Sequence, residues 1–183
     1  GLVGAAGSSG VWNYVNTIAG VTANIAARKG SGTKNSDGSS SGAGQGAMDI
    51  ALTGAGDMLG LDGLSWGVGY GVAEAGDQAN AAGVENDDVH ATIFANYSFG
   101  PATVGYQKST IDKGSNGAAR QETDAWGIAF NVNDDLSISY GEREVEYGKA
   151  AATHVTEDGE GIAIAYTMGS MKIAGNRNEV TAN

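Results

Sequence analysis

The feature that most constrains the fold of this chain is an alternation of apolar and polar side chains with a period of two residues. Over residues 89–99, Val89 and every second residue after it are apolar, and the residues between them are polar except for Phe94. The same period recurs over residues 66–72 and 162–168, where large apolar residues alternate with glycine in the first segment and with alanine or threonine in the second. Successive side chains of a β-strand point to opposite faces, whereas a helix repeats about every 3.6 residues. The pattern therefore predicts strands with one apolar face and one polar face.

The predicted strands and their connections divide the chain into five hairpins. The strands cover roughly residues 10–16, 20–29, 47–58, 62–74, 87–99, 102–112, 122–132, 135–147, 160–168 and 171–180. Short turns are predicted near residues 17–19, 59–61, 100–101, 133–134 and 169–170, and long polar loops near residues 29–46, 74–88, 112–121 and 146–159. A propeller blade has a similar repeat length but contains four strands, whereas each repeat here contains two. Short turns at one end and long loops at the other are typical of membrane-spanning strands. We therefore predict an all-β fold, a transmembrane antiparallel up-and-down β-barrel with short periplasmic turns and long outer loops.

The composition excludes several other classes of protein. Glycine and alanine together make up about a third of the 183 residues, which suits a packed core of large side chains poorly. With one proline and no Gly-X-Y period, the chain is not collagen-like, and with no cysteine it has no disulfide or cysteine–zinc scaffold. The formal net charge of −11 argues against nucleic acid as a partner. No apolar run reaches the roughly 18 residues of a membrane-spanning helix.

Three segments carry a resemblance to a known family of membrane proteins. Residues 95–109, 125–142 and 161–175 each contain a strand, a tight turn and a returning strand. On these segments the chain resembles the Gram-negative general porins, especially those of alphaproteobacteria, and residues 11–27 look like the porin hairpin that follows the constriction loop. Porin barrels have about 16 strands, and their chains usually end in an aromatic residue rather than asparagine. The resemblance implies that residues 1–183 form a single β-barrel domain, part of a larger barrel of about 16 strands.

The polar face of the predicted strands supplies the candidate functional residues. Ten side chains fall on it by parity: Arg28, Arg143, Lys172, Asn24, Asp49, Thr92, Asn96, Gln107, Asn131 and Asn176. In a porin, inward basic residues oppose acidic loop residues, and the resulting transverse field selects among ions. The resemblance therefore implies that these side chains line a pore, and the alternative is that each is a solvated wall residue with little individual effect. Because the net charge is −11, we expect a preference for cations.

Aromatic residues mark the apolar face of the predicted strands close to the turns and the loop edges. Six of them are Trp66, Tyr97, Phe99, Tyr106, Tyr140 and Tyr166. Tryptophan and tyrosine are enriched at both surfaces of a membrane, because their rings combine an apolar body with a polar tip. We predict that these six residues contribute to aromatic belts at the membrane interface.

Acidic residues form clusters that the sequence places in long loops. They are Glu85, Asp87 and Asp88, then Glu142, Glu144 and Glu146, and finally Glu157, Asp158 and Glu160. Carboxylates could bind Ca²⁺ or Mg²⁺ and bridge lipopolysaccharide. However, no calcium-binding motif is present, and most acidic runs are simply solvated. We predict no cofactor and no dedicated metal site, with loosely bound Ca²⁺ at these carboxylates as the alternative.

The two histidines, His90 and His154, are predicted to lie on different loops. Some outer-membrane barrels are proteases with histidine and acidic residues at the outer rim, and His154 lies near Glu157 and Asp158 in a similar way. No activated nucleophile or matching motif accompanies either histidine. We therefore predict that the protein is not an enzyme.

These observations together predict a bacterial outer-membrane channel for the passive diffusion of small hydrophilic solutes and ions. Its expected partners are outer-membrane lipid and lipopolysaccharide, and the resemblance implies a homotrimer for the complete protein. One alternative is a non-conducting outer-membrane barrel that acts as an adhesin or structural anchor through its long loops. Another is a soluble, secreted β repeat protein.

Overall fold

A computed structural model describes residues 11–29, 46–74, 87–113, 120–148 and 155–182 of the chain. The strands are β1 (Val11–Ile18), β2 (Val21–Arg28), β3 (Ala47–Ala55), β4 (Leu64–Ala73), β5 (Asp88–Phe99), β6 (Ala102–Lys113), β7 (Gln121–Asn131), β8 (Leu136–Tyr147), β9 (Val155–Met168) and β10 (Met171–Ala182). One turn of 3₁₀ helix, Gly56–Leu59, follows β3. In the ranges that the structure describes, no helix is long and apolar enough to cross a membrane. The prediction of an all-β fold with about ten strands is confirmed.

All ten strands form one antiparallel sheet in which each strand pairs with its neighbours along the chain. This up-and-down order follows from hairpins in series, because antiparallel neighbours need only short connections. The predicted topology is therefore confirmed. Strands β1 and β10 are not paired with each other, so the sheet of described strands is open at two edges.

Local turn chemistry fixes the register of the hairpins. Ala19 and Gly20, between β1 and β2, have φ angles of 50° and 81°, as a type I′ turn requires. Between β7 and β8, the side-chain oxygen of Asn133 accepts hydrogen bonds from the backbone N–H groups of Asp135 (2.9 Å) and Leu136 (2.8 Å). Each of these turns stabilises one pairing of its two strands, and a slip by one residue would exchange the two faces.

The strand ends differ most from the prediction at two places. β9 begins at Val155 rather than near residue 160 and pairs with β8 as far as Tyr147, so the predicted loop 146–159 is shorter than expected. The sequence did not reveal this part of β9 because polar residues occupy both of its faces, which removes the alternation. β3 ends at Ala55, where the 3₁₀ helix begins, rather than near residue 58.

The strands are staggered in a way that defines their tilt. Successive strand pairs connect Ile18, at the end of β1, to Glu160 in β9, by way of Val21, Gly54, Trp66, Ala95, Tyr106, Trp126 and Glu142. Glu160 is thus reached from the turn end of β1 in eight strand-to-strand steps. The turn end of β9, Met168, lies eight residues beyond Glu160, so the turn ends shift by one residue per strand. A shift of one residue per strand, with about 3.4 Å per residue and about 4.8 Å between strands, corresponds to a tilt of about 35°. Transmembrane barrels have tilts of about 35–45°.

The sheet has almost no packed core. Among the described residues, the buried apolar side chains are only those of Ala47, Ala102 and Val145. Large apolar side chains remain open, most of them on one face, such as those of Ile93 (52% exposed) and Ile162 (56% exposed). A water-soluble sheet would cover such a face with a second layer, and the described part of the chain contains none. This arrangement is what a sheet that faces lipid requires.

Candidate functional site: the sheltered face of the sheet

The two faces of the sheet differ in side-chain type, and in β9 they also differ in exposure. In β9, Glu160, Ile162 and Ile164 are exposed, and the residues between them are half-buried. We call the side that carries Ile162 the exposed face and the opposite side, which carries Ala163, the sheltered face. Directly paired residues share a face, so the register extends this assignment to every strand.

All ten side chains that the sequence predicts to line a pore lie on the sheltered face. The register places them there through paired rows, for example from Asn131 through Ser137 to Ala165. They are Arg28, Arg143, Lys172, Asn24, Asp49, Thr92, Asn96, Gln107, Asn131 and Asn176. The structure therefore brings them together on one surface, and their role in lining a pore stays a prediction.

A row of four glycines crosses the sheltered face. Gly105, Gly127, Gly141 and Gly161 pair in succession from β6 to β9. A Cβ at Gly141 would lie 3.0 Å from the backbone oxygen of Trp126, so neighbouring strands approach closely here. Glycines of this kind allow a sheet to curve. The row also leaves a strip across the wall without side chains. The sequence shows these glycines but not their alignment, which only the register reveals.

Two asparagines flank the glycine row at its ends. Asn96 pairs with Gly105, and Asn178 pairs with Gly161. Their side-chain oxygens lie 2.4 and 2.5 Å from where a Cβ on these glycines would be, so each amide covers its glycine. Asn178 was not among the predicted residues, although the parity that places Asn176 on the sheltered face also places Asn178 there.

The described side chains of the sheltered face carry charges of both signs. Strand residues with described side chains carry three positive and three negative charges there, on Arg28, Arg143, Lys172, Asp49, Asp88 and Glu157. The guanidinium of Arg143 donates a hydrogen bond to Glu157 on the next strand. Sequence reasoning missed Glu157 as a member of this face because it assigned that residue to a loop.

Phe94 is the large apolar exception on the polar side of β5, and the structure gives it a packing role. Its ring covers Gly67 of β4: a Cβ there would lie 2.4 Å from Cε1 of the ring and 3.1 Å from Cγ2 of Thr53. An aromatic ring that covers a glycine on the next strand shields the backbone and packs the gap. On the exposed face, Trp66 covers Gly54 in the same way, with its nearest ring atom 2.9 Å from the Cβ position.

All six aromatic residues that the sequence predicts for a membrane interface lie on the exposed face. Tyr97 and Phe99 stack with their ring centres 5.9 Å apart, and Trp126 meets Tyr140 edge to face at 5.8 Å. The six are Trp66, Tyr97, Phe99, Tyr106, Tyr140 and Tyr166. Their position on the apolar side is established, and their contact with a membrane stays a prediction.

Carboxylates on the exposed face accept hydrogen bonds from these aromatic side chains. The indole N–H of Trp126 donates to Glu142 over 3.2 Å. The hydroxyl of Tyr140 lies 2.6 Å from a carboxylate oxygen of Glu142 and 2.9 Å from one of Glu160. Glu142 and Glu160 are directly paired, so the hydroxyl between them moderates the repulsion of two like charges.

The same arrangement continues onto β6. The hydroxyl of Tyr106 donates to Asp124, and the ammonium of Lys108 also donates to Asp124 over 2.7 Å. Lys108 lies 3.8 Å from Glu122 as well. We refer to the linked side chains on β6–β9 as the aromatic–carboxylate network, with the members Tyr106, Lys108, Asp124, Trp126, Tyr140, Glu142 and Glu160.

The acidic clusters lie mainly on strands, which corrects their assignment to loops and, for Glu142, Glu144 and Glu146, agrees with the predicted strand 135–147. β8 carries one cluster and β9 another, while Asp88 begins β5: the residues are Glu142, Glu144, Glu146, Glu157, Asp158, Glu160 and Asp88. Each of these strands has an apolar part near the turn and continues into an acidic part. The change from apolar to acidic residues along the strand therefore does not mark where the strand ends. Asp87 immediately precedes β5, and Glu85 lies outside the described residues.

The histidines are not brought together with a catalytic group in the described ranges. His90 lies within β5, where it pairs with Gly71; this agrees with the predicted strand 87–99 and corrects the assignment of the histidine to a loop. His154 lies outside the described residues. In the described part of the chain, no three histidine, aspartate or glutamate side chains are placed to hold a metal ion.

Solved structures of bacterial outer-membrane proteins share this fold. One is OmpT of Vibrio cholerae folded in vitro, with a TM-score of 0.65 and 12% sequence identity over 94% of this chain and 53% of that chain. Another is OmpT with loop L8 deleted, with a TM-score of 0.65 and 13% identity over 94% of this chain and 57% of that chain. This chain therefore spans just over half the length of the solved structures that it matches. No protein-family model and no curated protein sequence matches it. The chain has the up-and-down strand arrangement of these outer-membrane barrels.

Proposed function

We propose that this chain forms part of the wall of an outer-membrane channel for the passive diffusion of small hydrophilic solutes and ions. The likeness to outer-membrane barrels, the strand tilt and the apolar exposed face support a place in the bacterial outer membrane. The porin resemblance of the sequence agrees with this proposal. The channel would select solutes by size and by a weak electrostatic bias, without a catalytic group. Its outer surface would contact outer-membrane lipid and lipopolysaccharide.

One observation carries the proposal, namely the small side chains of the sheltered face. Besides the glycine row, β9 presents Gly159, Ala163 and Ala165 to this side, and β4 presents Gly67 and Gly69. Small closed barrels fill their interior with side chains, whereas wider barrels leave an aqueous lumen. These positions leave space along the sheltered face, which would keep a passage open in a barrel as wide as the porin resemblance implies.

The charge balance of the sheltered face changes the expectation for ion preference. The sequence alone favours cations because the net charge is −11. Among the strand side chains that the structure describes on the sheltered face, positive and negative charges are equal in number, and Arg143 is paired with Glu157. A wall of this kind supports a weakly selective channel, in which size decides more than charge.

Conductance with cysteine modification tests the proposal. The chain has no cysteine, so Ala163→Cys places a single thiol on the sheltered face and Ile164→Cys places one on the exposed face. In planar bilayers, we expect steady single-channel steps from both variants. A charged methanethiosulfonate reagent should reduce the conductance only for Ala163→Cys.

The matched pair also defines the outcomes that contradict the proposal. Correctly folded protein without single-channel steps would overturn the channel and favour the non-conducting adhesin or anchor. An equal effect of the reagent on both variants would show that the sheltered face does not line the conducting path.

A further inference from the structure

The apolar band on the exposed face has two different heights. In β5, every exposed-face residue from Phe99 at the turn end to Val89 is apolar, over a span of ten residues. In β9, the apolar residues extend only from Met168 at the turn end to Ile162, over a span of six residues. Glu160 and Asp158 then follow on the same face.

The short band is shared by the neighbouring strands β7 and β8. On β7, the apolar positions Phe130, Ile128 and Trp126 are followed by Asp124 and Glu122. On β8, the positions Leu136, Ile138 and Tyr140 are followed by Glu142, Glu144 and Glu146. The aromatic–carboxylate network lies where the apolar band of these strands ends.

The strand tilt converts these spans into heights. At about 3.4 Å per residue and a tilt of about 35°, ten residues rise about 28 Å and six residues rise about 17 Å. The apolar band of outer-membrane barrels is about 25 Å tall. β5 matches this height, whereas β9 falls short by about 8 Å. The apolar spans of β7 and β8 are only four residues, so these two strands fall short by about 14 Å.

We propose that the outer surface of the bilayer follows the aromatic–carboxylate network, so that the membrane is locally thinned against β6–β9. This inference rests on the proposal that the sheet spans a bilayer. A charged side chain inside the hydrocarbon is unfavourable and becomes tolerable near the interface. Thinning the bilayer beside a short apolar band has only a modest cost. Lowering the lipid headgroups to the network is therefore more favourable than immersing its carboxylates.

Charge and side-chain type favour lipid headgroups over a second copy of this chain as the occupant of this surface. The exposed face of β6–β10 carries nine carboxylates, on Asp112, Glu122, Asp124, Glu142, Glu144, Glu146, Asp158, Glu160 and Glu179. The basic side chains there and just before β7 are those of Lys108, Arg120 and Arg177. Two such surfaces would repel each other. Tyrosine and tryptophan at the end of an apolar band suit the headgroup level of a membrane.

Spin labels at matched heights test the inference in the full chain reconstituted in phospholipid vesicles. Val89→Cys and Asp158→Cys each place a label ten residues from the turn end of its strand, on β5 and β9 respectively. Ala95→Cys and Ile164→Cys place control labels four residues from the same ends. The accessibility of each label to oxygen and to a water-soluble nickel complex is measured by electron paramagnetic resonance.

We expect the labels at 89, 95 and 164 to be accessible mainly to oxygen and the label at 158 mainly to the nickel complex. Equal, oxygen-dominated accessibility at 89 and 158 would overturn local thinning while leaving the membrane barrel intact. Control labels open to the nickel complex would instead overturn the membrane-spanning proposal itself. A label at 158 that is immobilised and shielded from both reagents would overturn the inference in favour of a protein partner.

Discussion

Replacing Gly67 by alanine should destabilise the sheet by displacing Phe94. A Cβ at this position would lie 2.4 Å from Cε1 and 2.8 Å from Cζ of Phe94, and 3.1 Å from Cγ2 of Thr53. The ring would have to leave the surface that it covers, and overpacking of this kind costs about 1–3 kcal/mol. Removing a glycine from a strand normally returns about 0.5–1 kcal/mol. We therefore expect the free energy of unfolding to fall by about 1 kcal/mol.

A double-mutant cycle separates the ring from other causes. Phe94→Leu shortens the side chain that causes the clash, so Gly67→Ala should be nearly neutral in the Phe94→Leu background. Gly175→Ala is the control, because nothing lies within 4 Å of a Cβ at that strand position. Urea unfolding of the membrane-reconstituted protein, followed by circular dichroism, gives the free energies. If Gly67→Ala costs the same in both backgrounds, the contact with Phe94 does not explain the glycine.

Two further predictions test the ion path and the length of β9. Under the proposed function, Arg143→Gln should raise the cation-to-anion permeability ratio, because it removes a positive charge beside Glu157. Arg177→Gln, on the exposed face, should leave the reversal potential unchanged. Equal shifts of the reversal potential in the two variants would contradict the assignment of the two faces. Cysteines at Val145 and Glu157, which pair across β8 and β9, should oxidise to a disulfide seen as a shift in gel mobility. Cysteines at Val145 and Thr156 should not, because these neighbours face opposite sides; efficient bridging of the second pair instead would mean that β9 has a different register.

The sequence predicted the strands well where their two faces differ in polarity. β5 was expected at residues 87–99 and lies at Asp88–Phe99, because Val89 and its apolar partners alternate with polar residues over the whole strand. β9 was expected only from residue 160 and begins at Val155. At Glu157 and Asp158 both faces are polar, so the hydropathy of the sequence does not alternate there. The backbone hydrogen bonds between β8 and β9 nevertheless continue.

In the candidate site, the sequence reveals which face of a strand a residue lies on, and the pairing between strands adds which residues lie side by side. Parity along single strands was enough to place Asn96 and Arg143 on the sheltered face. It could not show that Gly127 and Gly141 lie side by side, since that depends on how the turns set the register between strands. Interactions between strands, such as Arg143 with Glu157, are therefore the part of the site that a single sequence leaves open.

The net charge shows why this distinction matters for function. The total of −11 pointed to a cation-selective pore, on the assumption that acidic residues lie in loops around the mouth. The register instead places most strand carboxylates, including Glu144 and Glu160, on the exposed face with Ile162 and Ile164. Charges on the outside of a channel wall act on its lumen only weakly, because they are distant and screened by solvent. Ion preference in a channel with this wall would then depend on the few charges of the sheltered face, and the total charge of the chain would not predict it.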